Sequence, residues 1–408
     1  MQHVARTPIS GRARLVVAAM FFANGFILGG WAPQVPLFLT RLDISETTLG
    51  LLLAGFGLGA LIAMPTAGWF IARHGSRATL QVVAIACAPA LLLVVAAPNL
   101  ATAAVAFVAF GAVFGGMDVS MNANAVAVER RLGRAIMSSS HGFWSLGGFA
   151  GGATGGFLIK IAGPIGHAAI VSAIALMLVL SALPRLIDED PPEPERKPAS
   201  GLPRGLTIYL LGVAALFAMI PEGAVVDWGA LFLSTELGAS LTVAGFAYAA
   251  FAGTMAAMRF AGDGVRDRFG GVTTLRWSAV VASLAMLGAA FAPNAPVAIG
   301  CFALAGVGIA NIVPVIFSAA GNQPGMAAGV GMSVVTSMGY SGILVAPSAM
   351  GYVGERIGFA PVFAGMGVLL AVVAMLGGFA RAADRKQPAG GRLRVPEDSI
   401  DANRRDRY

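Results

Sequence analysis

The chain has 408 residues, 57% of them hydrophobic and only 12% charged, with a net charge of +7. A soluble domain needs roughly a quarter of its residues charged to cover its surface, so this composition excludes one and calls for an apolar solvent around the outside. The positive balance would suit a nucleic-acid binder, but the basic residues fall in loops and tails rather than along one face, which excludes that class as well.

Apolar runs stand at about 14–38, 47–71, 79–97, 100–124, 137–161 and 164–184, then at about 206–234, 241–263, 273–292, 297–319, 325–350 and 358–382. Each is close to the roughly 20 residues that cross a bilayer, so the expectation is an all-α integral membrane protein of twelve transmembrane helices. The first run is too long for a signal-peptide core and reads as a retained helix. Cys87 and Cys301 are isolated inside apolar runs and read as packing residues; no metal or cofactor motif occurs. The 54 glycines fit helices that approach closely.

Counted by alternate loops, all but three of the 27 Lys and Arg residues lie on one side, the exceptions being Arg41, Lys160 and Arg356. By the positive-inside rule that side, with both termini, is expected to be cytoplasmic, and the high Ala, Gly and Arg content with no organelle signal points to a bacterial inner membrane. Pro184 to Pro203, rich in Pro and in charges of both signs, reads as a linker. The expected organisation is a six-helix bundle over 1–184, a linker over 185–204, a second six-helix bundle over 205–382 and a polar tail over 383–408. The halves resemble each other at an offset of about 195 residues: Gly50, Arg73, Gly75, Met137, Ser138, Gly147, Gly156 and Gly163 match Gly245, Arg268, Gly270, Met332, Ser333, Gly342, Gly351 and Gly358. Six helices separate equivalent points, so these are parallel repeats, which transporters arrange around a central site.

Two loops resemble a known signature. Gly68-x-x-x-Ala72-Arg73-His74-Gly75-Ser76-Arg77 and Asp267-Arg268-Phe269-Gly270 are similar to the GxxxDRxGRR loop of the major facilitator superfamily. Gly115 to Ala125, Ser140 to Gly148 and Pro221 to Trp228 further resemble bacterial members of the fucose-permease-like and rhizopine-transporter type. The resemblance implies a secondary carrier of two bundles working by alternating access as a monomer, with Arg73, Gly75, Arg77, Arg259, Asp263, Asp267, Arg268 and Gly270 in cytoplasmic gating loops. Ala72 stands where the family has an acid that latches one state, Asp263 stands where its leading Gly would, and Gly147 to Gly156 lacks the proline of the antiporter signature.

Polar residues inside lipid are costly and tend to face a cavity or a partner. Asn24, Glu222, Asn311 and Tyr340 fall within about 5 Å of the midplane at 1.5 Å rise per residue. The resemblance implies that the first, fourth, seventh and tenth helices line the cavity, which takes in three of these four. Interhelical hydrogen bonding is the plain alternative for Asn24 and Asn311. Glu222 is expected to carry proton coupling, since no Lys or Arg is expected at its depth. Asp227 and Trp228 lie one to two turns farther out, where Trp suits an interface anchor. Asp118 and Asn122 share a face, and Asp118 and His141, about 9 and 12 Å from the midplane, are expected to pair as a relay or gate. Arg259 and Asp263, also four apart, are expected to join a charge network with the nearby loop.

The function expected is proton-coupled movement of a small, sugar-like or polyol-like solute, with Trp144, Trp228 and Tyr340 supplying hydrogen bonds and stacking. An exporter of amphipathic compounds is the alternative. An intramembrane enzyme or receptor is remote, because Ser138 to Ser140 beside His141 lack a third catalytic partner.

Overall fold

The computed structural model describes residues 12–133, 136–188, 205–324 and 328–384; the side chains at 263, 328 and 343 are outside that description. Among the described residues there is no strand. The first span is α1 (Arg12–Trp31) with α2 (Val35–Leu42), joined by a 3-10 turn at Ala32–Gln34. A double-length stretch follows, α3 (Glu46–Cys87) with α4 (Ala90–Val95), broken at Gly75 into the second and third spans. The fourth span is α5 (Leu100–Leu132), and α6 (Met137–Ala182), broken at Gly163, supplies the fifth and sixth. The second half begins with α7 (Leu206–Thr235), then α8 (Leu241–Ala244) with α9 (Phe246–Phe269), and α10 (Gly271–Ala290). It ends with α11 (Ala295–Ile309) and α12 (Ile312–Gly321), α13 (Ala328–Ile357), and α14 (Ala360–Leu376) running into a 3-10 helix at Gly377–Asp384. Among the described residues, ten stretches are long and apolar enough to cross a membrane; two of them, of 50 and 49 residues, are the double ones, which makes twelve spans.

The repeat is written into the backbone. Gly75 and Gly270 both have φ 80°, a conformation a side chain disfavours, and each is followed four residues later by a threonine, Thr79 or Thr274, whose hydroxyl donates back to the glycine carbonyl. Ser45 and Ser240 cap helix starts by accepting from the N–H of Thr48 and Val243, and Asn99 and Asn294 cap others by accepting from Thr102 and Val297. The sequence comparison passed over both cap pairs, although each obeys the same offset.

Packing between the halves repeats too. In the α6–α9 seam a Cβ on Gly156 would meet the Leu241 carbonyl at 2.9 Å, and one on Gly245 would lie 3.2 Å from the Gly152 carbonyl. In the α3–α13 seam Gly351 abuts the Glu46 carbonyl, and a Cβ on Gly50 would lie 2.7 Å from the Pro347 carbonyl. These are the same contacts with the halves exchanged, and only glycine lets the backbones come so near. All four lie toward one end of the bundle, here the opposite face; the end carrying most of the Lys and Arg is the basic face. Within the expected linker and tail, 189–204 and 385–408 lie outside the described residues. Leu183–Arg185 is a 3-10 turn, and Ala383 and Asp384 continue the 3-10 helix, where Asp384 accepts from the N–H groups of Gly271 and Val272.

Candidate functional site

Between the two bundles lies a set of polar side chains that have no water to satisfy them from the lipid side and so must satisfy one another. Arg259, on α9 of the second half, is the hub. Its Nη1 donates to Ser145 Oγ at 2.5 Å and to the His141 carbonyl at 3.5 Å, both on α6 of the first half. Its Nη2 stands 3.7 Å from Glu222 Oε2, and its Cζ lies 5.9 Å from the centre of the Trp144 ring. The Arg259 carbonyl in turn accepts from Ser138 Oγ at 2.9 Å. Glu222 keeps one carboxylate oxygen, Oε1, buried and without a hydrogen bond.

This corrects two expectations. Glu222 does have a cation at its depth, and Arg259 belongs to the centre rather than to a loop network. The physical reason is length: the backbone of Arg259 lies near the cytoplasmic end of its run, but the side chain extends along the helix and carries its charge several ångströms inward. Asp263 sits one turn farther along α9, with its side chain outside the described residues.

The hub continues through Trp144, whose Nε1 donates to Asn24 Oδ1 at 2.8 Å, tying α6 to α1. Asn24 is fully buried and its Nδ2 has no partner. A second group lies across the same divide: Tyr340 on α13 donates to Asp118 Oδ2 on α5 at 3.5 Å, and Asn122 Nδ2 donates to Asp118 Oδ1 at 3.2 Å and to its carbonyl at 2.8 Å. Toward the opposite face Trp31 Nε1 donates to Asp227 Oδ1 at 3.3 Å, again from one half to the other.

Asp118 and His141 do not pair. The His141 ring packs edge-on to Phe21 at 5.1 Å, while Asp118 takes Asn122 and Tyr340. Depth estimated from run lengths fixes one coordinate only and says nothing of the direction each side chain takes around its helix. Trp228 is likewise no interface anchor: it is fully buried and stacks on Phe359 at 5.2 Å. Asn311 interrupts the tenth span between α11 and α12, with its Oδ1 against Gly262 and its Nδ2 unpartnered.

Sequence reasoning missed Ser145, Trp31, Tyr248 and the buried pair of Gln34 Nε2 with His167 Nδ1 at 2.7 Å. Tyr248 is buried and its hydroxyl has no hydrogen-bond partner among the described residues. A signal for it existed, since a tyrosine in a run otherwise made of Ala, Phe and Gly needs a polar partner or a role.

The loop residues are peripheral to this centre. The Arg73 guanidinium covers the Trp69 ring at 4.2 Å, Arg77 pairs with Asp188 at 2.5 Å, and Arg268 lies 5.5 Å from the Phe269 ring. Asp267 is exposed.

Comparisons with known proteins agree with this architecture. The sequence profile of the Major Facilitator Superfamily matches residues 16–330 and 205–399. An uncharacterized MFS-type transporter of Yersinia pestis is 35% identical over 356 residues, 87% of this chain and 92% of the relative. Membrane protein MosC of Rhizobium meliloti is 35% identical over 346 residues, covering 84% of each chain. The crystal structure of a D-xylose-proton symporter superposes with a TM-score of 0.74 at 14% identity, over 90% of this chain and 96% of that one. Twelve spans in two parallel repeats, a shared polar centre and these relatives together identify the chain as a transporter belonging to the Major Facilitator Superfamily, a membrane protein and not an enzyme.

Proposed function

We propose that the protein carries a small, hydroxyl-rich solute, of the sugar or polyol kind, by alternating access coupled to protons. The observation that carries this reading is the Glu222–Arg259 pair: a carboxylate and a guanidinium from the second half meet at the divide, and the guanidinium also holds Ser145 and His141 of the first half. A proton on Glu222 removes its attraction for Arg259 and changes what binds the halves together. Asn24, Asn122, Trp144 and Tyr340 around it supply the donors, acceptors and ring faces that a polyhydroxylated solute needs. The two bundles, 1–184 and 205–382, act as the rocking bodies, Asp118, Asp227 and Asn311 contribute polar contacts along the path, and the loops at Arg73 to Arg77 and Asp267 to Gly270 gate the basic face. In this reading the protein works as a monomer in a bacterial inner membrane with both termini cytoplasmic, an orientation that the distribution of Lys and Arg supports.

Glu222→Gln, which mimics the protonated acid, is expected to retain solute exchange across proteoliposomes and to lose accumulation driven by a pH gradient. Undiminished accumulation by that variant would remove Glu222 as the coupling group. Exchange of apolar drugs in preference to sugars and polyols would replace the solute class with that of an amphipathic-compound exporter.

A further inference from the structure

At the basic face of the second half a cavity of about 520 Å³ opens between the start of α7, α10, the chain just past α12 and the 3-10 helix Gly377–Asp384. Thr207, Arg276, Gln323, Met375, Phe379 and Arg381 line it. Arg276 and Arg381 are both exposed, and neither has an ion pair or hydrogen bond among the described residues. The acid nearest in sequence, Asp384, is occupied by the amino end of α10. Arg266, the third guanidinium in this region, is tied to Ser318 Oγ and the Ala383 carbonyl. Among the described residues, two cations therefore share one cavity with no ion-pair partner.

The backbone is shaped to keep Arg276 there. A Cβ on Gly377 would come within 2.7 Å of Arg276 Cγ, and one on Gly378 within 3.0 Å of its Nη2, so the side chain lies across the 3-10 helix because both positions are glycine. Thr207, in the first turn of α7, lines the same cavity, and that helix start has no side-chain cap. The rim is apolar, with Met375 70% and Phe379 42% exposed, and Trp277, next to Arg276, is 67% exposed. Exposed aromatics at a helix end mark the level of the headgroups, where an arginine meets phosphate rather than hydrocarbon.

We propose that this cavity binds a phosphate-bearing anion, held in bidentate fashion by Arg276 and Arg381. Two sources present that chemistry at this depth, the headgroup of an anionic phospholipid and free phosphate, and they separate experimentally. The site lies away from the central polar groups and does not depend on which solute is carried.

Affinity for dioleoyl phosphatidylglycerol, measured on the full chain in detergent by native mass spectrometry with dioleoyl phosphatidylcholine as the neutral control, is expected to fall about 30-fold in the R276Q/R381Q variant. Gln323→Glu, which keeps both arginines and supplies an internal anion, is expected to lower it in the same direction and serves if the double variant does not fold. In a parallel arm, sodium phosphate is titrated while the melting temperature is followed. A phosphate-dependent rise in the unmodified protein that both variants lose, with phosphatidylglycerol binding unchanged, assigns the site to free phosphate. Equal phosphatidylglycerol affinity in all three proteins together with no phosphate-dependent difference overturns the proposal.

Discussion

The α6–α9 and α3–α13 seams are the same contact made twice with the halves exchanged, yet they differ along their length. At the opposite face they match glycine for glycine. Toward the basic face the α6–α9 seam stays closed: Ser138 Oγ reaches the Arg259 carbonyl, and the Phe260 ring packs on Gly142 and on Phe143 at 5.4 Å. Among the described residues, no hydrogen bond or ring contact joins the repeat mates in the other seam. Ser333, mate of Ser138, is exposed without a hydrogen bond among the described residues; Ser337 and Pro65, mates of Gly142 and Phe260, are both exposed. Gly68 on α3 has nothing within 4 Å of where a Cβ would stand. Shared backbone geometry thus sets what both seams can do, and the residues that break the repeat decide which one parts.

Arg259 is the clearest such residue, because its repeat mate is Met64. Arg259→Met would make the seams chemically alike and is expected to let α6 and α9 part at the basic face, a change that spin-label distances between the two helices would report. It also strands Glu222 and Ser145, so a loss of about 3 kcal/mol in stability is expected, below the upper range for buried pairs because both side chains are partly accessible. Unchanged distances would mean that aromatic packing at Phe260 alone holds the seam.

The glycines test the shared end. Gly351→Val and Gly156→Val each drive a side chain into backbone of the other half, and overpacking of this kind costs about 1–3 kcal/mol. Both are expected to shift the population toward a state open at the opposite face, seen as faster labelling of a cysteine placed at Ser348. Gly68→Val, facing open space, is the control and is expected to change labelling little. If only one of the two seam variants shifts it, the seams are not equivalent even where their backbones match.

The repeat was legible in the sequence because its requirements are local. A positive φ at Gly75 and Gly270 selects a residue type at one position, so the same demand in both halves leaves the same letter. The centre was less legible because it consists of departures: Glu222, Arg259, Asp118 and Asn24 have Ile27, Met64, Val313 and Met219 as mates. Run centres gave the depth of each, which was enough to single out Glu222 and Tyr340. They gave neither side-chain reach, which hid Arg259, nor direction around the helix, which joined Asp118 to the wrong partner.

That correction has its own test. Since His141 packs on Phe21 and Asp118 bonds Tyr340, the effects of Asp118→Asn and His141→Ala on melting are expected to add within about 0.5 kcal/mol. Asp118→Asn with Tyr340→Phe is expected to be non-additive by about 0.5–1 kcal/mol, modest because the bond is long at 3.5 Å. A coupling between Asp118 and His141 larger than that between Asp118 and Tyr340 would restore the relay.

The smallest effect is expected at the rim of the opposite face. Glu355 Oε2 accepts from the N–H of Thr47 at 3.0 Å, so a carboxylate of one half sits on the first turn of α3 in the other, where the helix dipole favours negative charge. The repeat mate of Glu355 is Lys160, and that of Thr47 is Thr242, in the first turn of α8. One seam therefore ends in an attraction, and the other carries a cation at the position equivalent to that carboxylate. Glu355→Gln is expected to loosen only the α3–α13 rim, and Lys160→Glu to tighten only the α6–α9 rim. Both shifts should shrink in high salt, because the groups are exposed and charges there are screened. Cysteine labelling at each rim in low and high salt reads this directly: a response of both rims to either substitution would show that the bundles move as one rigid pair, and a response that ignores salt would place the effect in packing rather than charge.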